Sequence, residues 1–252
     1  ENSAGSDAGG TKTTAVKDGD SWVLNGSKLW ITNGGIAQFF TVFAKTGGQA
    51  ERSNMTAFIV TRDMAGVSTG PHEDKMGIRA SATCVMNFDE AIGYMIAEPN
   101  KGLEAMFTFM NTARIGTAVQ GLAHAELSYQ GALPYAKERR SMRALTGKKD
   151  ADHPNDALIW HADVRRMLLT QRAVAEGARA MIYNAAKLAD HMVAGIGLGD
   201  QAKYEEYDDK LGFFTPILKG FLTEMGLECA NIGMQVFGGH GYIKEHGMEH
   251  IA

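Results

Sequence analysis

The chain has 252 residues, a formal net charge of −4, 21% charged residues and 44% hydrophobic ones. That balance gives no electrostatic reason to expect a nucleic acid or an anionic membrane surface as partner. It fits a globular protein with a real core, in one large or two modest domains. No apolar run approaches the roughly 18 residues that cross a bilayer, and the start is not signal-like. The two cysteines, Cys84 and Cys229, match no metal or redox spacing and read as structural thiols in a reducing compartment. Glu1-Asn2-Ser3 opens without methionine and His250-Ile251-Ala252 closes without a helix terminator, so both ends read as cut from a longer polypeptide.

From Ser21 to Phe88 the periodicity is short and the residues are β-branched or aromatic. Ser21–Leu24, Asn25-Gly26 and Ser27–Ile31 form a hairpin signature, because Asn-Gly supplies the two positive-φ positions of a type I′ turn. Gln38–Ala44, Met55–Val60, Val67–Thr69 and Ala82–Phe88 read as further strands, for a set of six. Short strands so spaced predict an antiparallel sandwich or barrel rather than a βαβ fold. At Ala97-Glu98-Pro99-Asn100 the period changes from 2 to 3.6, which divides the chain into a β-domain, residues 1–97, and a helical bundle domain, residues 98–252. The class is therefore α+β.

Met106–Arg140 reads as one long helix, with Phe109, Ala113, Gly116, Val119, Ala123, Leu127 and Gln130 recurring at helical steps. Arg114 lies near its start and Arg139 and Arg140 at its end. Arg114 and Arg139 stand about 37 Å apart along the axis, so no single small pocket uses both. Ser141–Asp156 is polar and reads as an exposed loop. Asp163 is placed to cap a second helix with an apolar stripe through Val164, Met167, Leu168, Gln171, Ala175, Ala178, Ile182, Ala185 and Leu188. Gly195–Asp209 reads as a linker, and a last helix is predicted from Thr215-Pro216 to about Phe237, with proline in its first turn.

Four stretches carry more than fold. Glu1–Asp7 is a small-residue loop rich in hydroxyls, by itself a capped turn. Trp30–Gly35 is a strand ending in a flat aromatic, by itself a core tryptophan before a turn. Asn111–Arg114 sets an arginine at a helix start, by itself a solvated side chain. Gln235–Tyr242 holds paired glycines whose amides can approach a phosphate or carbonyl, although no Lys-Ser/Thr follows as in a nucleotide P-loop. Each alone has an ordinary structural explanation. His246 and His250, four apart, could share a helical face as metal ligands do, but a solvated terminal turn is the favoured reading, and no metal is assigned. Arg139-Arg140 and Arg165-Arg166 read as basic faces paired with the acidic run Glu205–Asp209, and the fourteen methionines as core.

Together, in this order and spacing, these stretches resemble the acyl-CoA dehydrogenase flavoprotein family. Glu1–Asp7 (ENSAGSD) is similar to that family's TEPxAGSD loop, and NGSKLWITNGG to its NGxKxWITNG strand. KMGIRAS is similar to its KMGxxxS segment, YAKER to its YAxxR helix end, and QVFGGHGY to its QxxGGxGY turn. The polar insertion after Arg139 and HADVRRMLLTQRAVAEGARA resemble the longer subfamily that includes methylthiopropionyl-CoA dehydrogenases, while NGSKLWITNGGIAQFFTVFAKT resembles the mainstream fatty-acyl enzymes.

The resemblance implies an FAD cofactor, with Trp30, Ile31 and Thr32 along the flavin ring and Ser6 at flavin or acyl-CoA. Arg114 and Asn111 are implied to face the CoA moiety, although the family often has aspartate at the latter position. Arg139 and Ser141 are implied to meet the FAD pyrophosphate of a neighbouring subunit, and Gln235, Gly238 and Gly239 the adenosine and pyrophosphate of the same FAD. The two helix ends then serve different subunits of a homodimer or homotetramer. The implied activity is α,β-dehydrogenation of acyl-CoA thioesters, with electrons passed to an electron-transfer flavoprotein, in a bacterial cytoplasm or mitochondrial matrix.

The family's glutamate base sits in a YEGT-like segment after an RDxRI-like stretch, which would begin where this chain stops; the alternative base position holds Ala113. No catalytic residue is therefore assigned. Two other readings follow: an acyl-CoA oxidase reoxidised by oxygen, or a flavin-binding or assembly module without chemistry of its own.

Overall fold

A computed structural model describes residues 1–47, 54–96 and 98–252. Ala97, the last residue of the expected β-domain, lies outside the described residues. The chain forms two compact units, Glu1–Phe109 and Met110–Ala252.

The first unit holds six strands: β1 (Thr14–Asp18), β2 (Ser21–Ile31), β3 (Phe39–Thr46), β4 (Met55–Thr61), β5 (Val67–His72) and β6 (Cys84–Met95). Their order is β2-β1-β3-β4-β6-β5, and a further β2–β6 pairing closes five of them into a ring with β5 on the outer edge of β6. Closure removes exposed edges, the standard answer to strand-edge pairing. All pairings are antiparallel except β1–β3, which is parallel. Alternation along β3 turns Phe40, Val42 and Ala44 inward. They meet Leu24, Phe58, Val60, Met86 and Phe88 in the barrel core, where each large side chain contributes about 1.5–3 kcal/mol by leaving water.

The hairpin expected at Asn25-Gly26 is not there. The two-residue turn is Gly19-Asp20, between the paired Asp18 and Ser21 of β1 and β2, with Gly19 at φ +57°. Asn25 and Gly26 lie inside a continuous β2, opposite a bulge at Asp89-Glu90 of β6. Glu90 is left-handed (φ +54°), and its bulge-orphaned N–H donates to Asn25 Oδ1 at 2.9 Å. Gly26 has φ +146° because Thr13 passes so close that a Cβ would lie 2.6 Å from its Oγ1. The expected six strands are thus a different six: two merge into β2, and β1 is new.

The second unit is a three-helix bundle, built on α1 (Gly102–Glu138), whose residues from Met110 onward belong to it, α2 (Ala162–Leu198) and α3 (Gln201–Phe237). The stripe on α2 is buried at Met167, Leu168, Gln171, Ala175, Ala178, Ile182 and Ala185, as its spacing predicts. The stripe on α1 is not the expected one: Val119 and Leu127 are about half exposed, and Ala118, Gly121, Ala125, Ser128, Ala132 and Ala136 are buried instead. Small residues win this face because α3 runs parallel to α1 at close range. A Cβ on Gly226 would lie 2.7 Å from the Gly121 carbonyl oxygen. At mid-height, Ser128 Oγ donates to the Cys229 carbonyl at 2.8 Å and Gln171 Nε2 to Ser128 Oγ at 2.8 Å, which fixes the helices' mutual register. Gln171 Oε1 is buried with no partner among the described residues.

Three helix boundaries differ from expectation. The α2–α3 connection is only Gly199 (φ +66°) and Asp200, whose carboxylate accepts the Lys203 N–H; αL glycine plus an Asp cap is a complete stop-and-start signal. The helix α3 therefore begins at Gln201, and Pro216 is interior. His161, not Asp163, occupies the α2 N-cap position, and Asp163 pairs with Arg166 from the first turn. Nor does the acidic run meet the basic pairs: Glu206 pairs with Lys210, Glu205 accepts from Gln201, and Arg140 pairs with Asp150. Among the described residues no helix is long and apolar enough to cross a membrane.

Candidate functional site

In the first unit, β2 ends in a second irregularity. Between Lys28 and Ile31 two residues oppose one on β6, and the bulged Trp30 takes φ +54°. Bulges re-aim side chains, and this one turns the Trp30 ring outward, 71% exposed. The turn after it is pinned by Arg62, whose guanidinium donates to the Ala37 carbonyl (2.6 Å) and the Gly34 carbonyl. Ile31 and Thr32 line a cavity of about 470 Å³ together with Glu1, Gly5, Lys28 and Phe39. Ser6, exposed, follows Gly5 in the loop that closes one side.

Sequence reasoning missed what holds that loop. Glu1 Oε1 lies 2.6 Å from Lys28 Nζ and accepts the Thr13 hydroxyl at 2.6 Å, while Oε2 accepts the Lys12 N–H. Burial works to raise the Glu1 carboxyl, but these donors outweigh it and bring it down to about 2. Burial lowers the Lys28 ammonium, which the Glu1 contact partly opposes. The pair ties the loop carrying Ser6 to the strand that carries Trp30 and Ile31 and leads into Thr32. The available signal was a lysine two positions before a tryptophan and a lone acid at the loop's start, too little to pair without coordinates.

In the second unit the remaining candidates fall at the two ends of the bundle. Asn111, on α1, has its side-chain amide 3.0 Å from the Thr215 hydroxyl of α3, which also reaches the Leu211 carbonyl at 2.8 Å. Arg114 lies three residues further along the same helix. At the other end, Arg139 and Ser141 follow α1 directly, and Gln235, Gly238 and Gly239 close α3. Tyr135 joins these two segments. Its hydroxyl sits 2.7 Å from His240 Nδ1 and 3.2 Å from the Phe237 carbonyl, and its ring lies 4.4 Å from that of Phe237. Gly238 has φ +60° and ψ −136°, which only glycine adopts without strain. No atom lies within 4 Å of where a Cβ of Gly238 or Gly239 would be, so that stretch of main chain is bare. Gln235, just before it in sequence, is exposed, and so is Arg139 after the end of α1.

The segment 141–156 is no plain solvated loop. Asp156 is completely buried, its carboxylate accepting the N–H groups of Ala144, Lys149 and Asp150 and a guanidinium N–H of Arg143 at 2.9–3.1 Å. The Ala144 amide bond leads in holding that carboxyl below the usual range, against burial. Cys229 is buried, which pushes its thiol up to about 11, so it is no nucleophile at neutral pH. His246 and His250 sit in separate single-turn helices either side of Gly247, not on one helical face. Among the described residues no group of three or more His, Cys, Asp or Glu is placed to hold a metal.

Two family profiles match this chain: "Acyl-CoA dehydrogenase, middle domain" over residues 1–91 and "Acyl-CoA dehydrogenase, C-terminal domain" over residues 100–252. It is 36% identical to the 3-methylmercaptopropionyl-CoA dehydrogenase of Ruegeria pomeroyi over 98% of this chain and 44% of that one. The butyryl-CoA dehydrogenase structure from Megasphaera elsdenii superposes with a TM-score of 0.80 at 29% identity, over 100% of this chain and 59% of that one. An acyl-CoA dehydrogenase from Bacillus anthracis, solved in complex with FAD, superposes with a TM-score of 0.82 at 28% identity, over 98% of this chain and 41% of that one. The chain thus spans about half the length of the relatives it matches. Its two units carry the strand-end tryptophan, the glycine turn and the matching profiles of one lineage, and the chain belongs to the acyl-CoA dehydrogenase family.

Proposed function

We propose that the whole protein is an FAD-dependent acyl-CoA dehydrogenase and that this chain supplies its flavin-side barrel and its cofactor-bridging bundle, divided at residues 97 and 98. One observation carries the reading. Four motif segments, far apart in sequence, fall into two places: the Glu1–Asp7 loop and Ile31-Thr32, next to the exposed Trp30, around one barrel cavity, and Arg139–Ser141 with Gln235–Gly239 at one end of the bundle. The residues suit the cofactor. A flat exposed indole beside a threonine hydroxyl offers a stacking surface and a hydrogen bond to a flavin ring. Uncovered glycine main chain lets a pyrophosphate approach closely, and an arginine and a serine at the same end of the bundle offer it donors. Trp30, Ile31, Thr32 and Ser6 would hold the flavin half, and Arg139, Ser141, Gln235, Gly238 and Gly239 the dinucleotide half of a partner's FAD. Ser6, Asn111 and Arg114 would contact acyl-CoA.

When bound, the flavin supplies the hydride acceptor for the β-carbon. The residues here bind, orient and exclude water; the α-proton goes to a carboxylate base that we place outside residues 1–252. Electrons would pass to an electron-transfer flavoprotein, in a homodimer or homotetramer, in the cytoplasm or mitochondrial matrix. Purified protein is expected to take up FAD and show the two-banded visible absorption of oxidised flavin. In the whole protein, acyl-CoA is expected to bleach it anaerobically. Peroxide formed at the rate of turnover would instead mark an oxidase. Uptake of FAD that acyl-CoA never bleaches would mark a flavin-binding module.

A further inference from the structure

Resting on the flavin reading above, we propose that Asp156 is the positioning residue for the cofactor-binding segment Arg139–Ser141. That segment lies beyond the end of α1, so helical hydrogen bonds do not fix it past the Arg139 N–H, which still reaches the Tyr135 carbonyl. It is held by a backbone staple. The Ser141 N–H donates to the Asp156 carbonyl at 3.1 Å, the Asp156 N–H to the Met142 carbonyl at 2.8 Å, and the Leu158 N–H to the Arg139 carbonyl at 2.8 Å. Arg140 bridges Ala157, and His161 Nε2 lies 2.9 Å from the Ser141 carbonyl oxygen.

The staple needs the intervening residues to double back, and they do so around one side chain. A buried carboxylate is tolerable only when saturated with donors. Asp156 is saturated by three main-chain N–H groups and Arg143, drawn from both halves of the return. The flanking contacts, Arg140 to Asp150 at 2.6 Å and His153 to Asp150 at 2.9 Å, are partly exposed and weaker. Removing the carboxylate frees the return, and with it the strand that presents Arg139 and Ser141.

The test compares FAD with flavin mononucleotide, which lacks the adenylate half, in the assembled whole protein. Asp156→Asn keeps the size but presents an NH₂ to main-chain donors. It is expected to weaken FAD about tenfold or more and to leave mononucleotide affinity within about twofold, and in an Arg139→Gln background to cost FAD less than about twofold. If D156N fails to fold, Arg143→Gln, which leaves the main-chain contacts, carries the same comparison, with an expected loss of about threefold. Equal weakening of both flavins, the same cost in both backgrounds, or unchanged FAD affinity would overturn the positioning role while the flavin reading stands. A wild type that binds no FAD would remove both.

Discussion

Gly26 has φ +146° and Thr13 against its face, so Gly26→Ala meets both a backbone and a contact penalty. It is expected to destabilise the barrel unit by about 2–3 kcal/mol, measured as a fall in urea midpoint; unchanged stability would mean that Thr13 yields freely. The Glu1–Lys28 pair gives a pH signature. The Glu1 carboxyl is depressed in the folded state, from 4.5 to about 2, so its contribution is complete above about pH 4.5 and lost as pH falls toward 2. Thermal midpoints across that window should decline less steeply in Glu1→Gln than in wild type. At this scale the sequence was only partly legible. Asn25-Gly26 has the composition of a hairpin turn, yet β6 supplies an extra residue opposite it, and the pair serves a bulge. Pairing partners of that kind are fixed across about 65 residues and leave no local trace. Trp30 stood out by its motif, but its left-handed backbone and outward ring come from the same long-range register.

The helices divide by how much their packing depends on neighbours. The buried face of α2 is legible because Met167, Leu168, Gln171, Ala175, Ala178, Ile182 and Ala185 recur at three- and four-residue steps with most of the charged residues between them. That of α1 is not, because apolar residues surround it and the choice falls to the glycine-to-glycine approach of α3. Gly226→Ala would push a methyl against the Gly121 carbonyl, a backbone atom that cannot rotate aside. The expected cost is about 2–3 kcal/mol, whereas Gly116→Ala, at an open helical site, is expected to stabilise by up to about 1 kcal/mol; the same effect at both sites would refute the close approach. Asp200→Ala removes the α3 cap, and about 1 kcal/mol is expected to go with it, again read by urea titration. The Gly199-Asp200 stop-and-start signal is present in the sequence, yet it lies inside the Gly195–Asp209 stretch that reads as a linker. In the structure Gly195 is buried where the α3 backbone at Tyr204 leaves no room for a side chain.

For the whole molecule, the motifs fix the family and the class of ligand more firmly than they fix contacts. The Glu1–Asp7 loop, Trp30–Thr32 and the glycine turn could be singled out in the sequence because each lies in a run of unusual residues. Glu1–Lys28, Tyr135–His240 and the Asp156 nucleus could not, because each is a single ordinary residue whose partner lies far along the chain. The proposed function requires Trp30 and Arg139 to act on the same FAD from different protomers. Co-expressed Trp30→Asp and Arg139→Gln chains, carrying different purification tags, give a hybrid dimer that tests it. Each variant alone should bind FAD poorly, and the doubly purified hybrid should bind one FAD per dimer with wild-type affinity, because one of its two sites then has both residues intact. A hybrid that binds no better than its parents would contradict the shared cofactor.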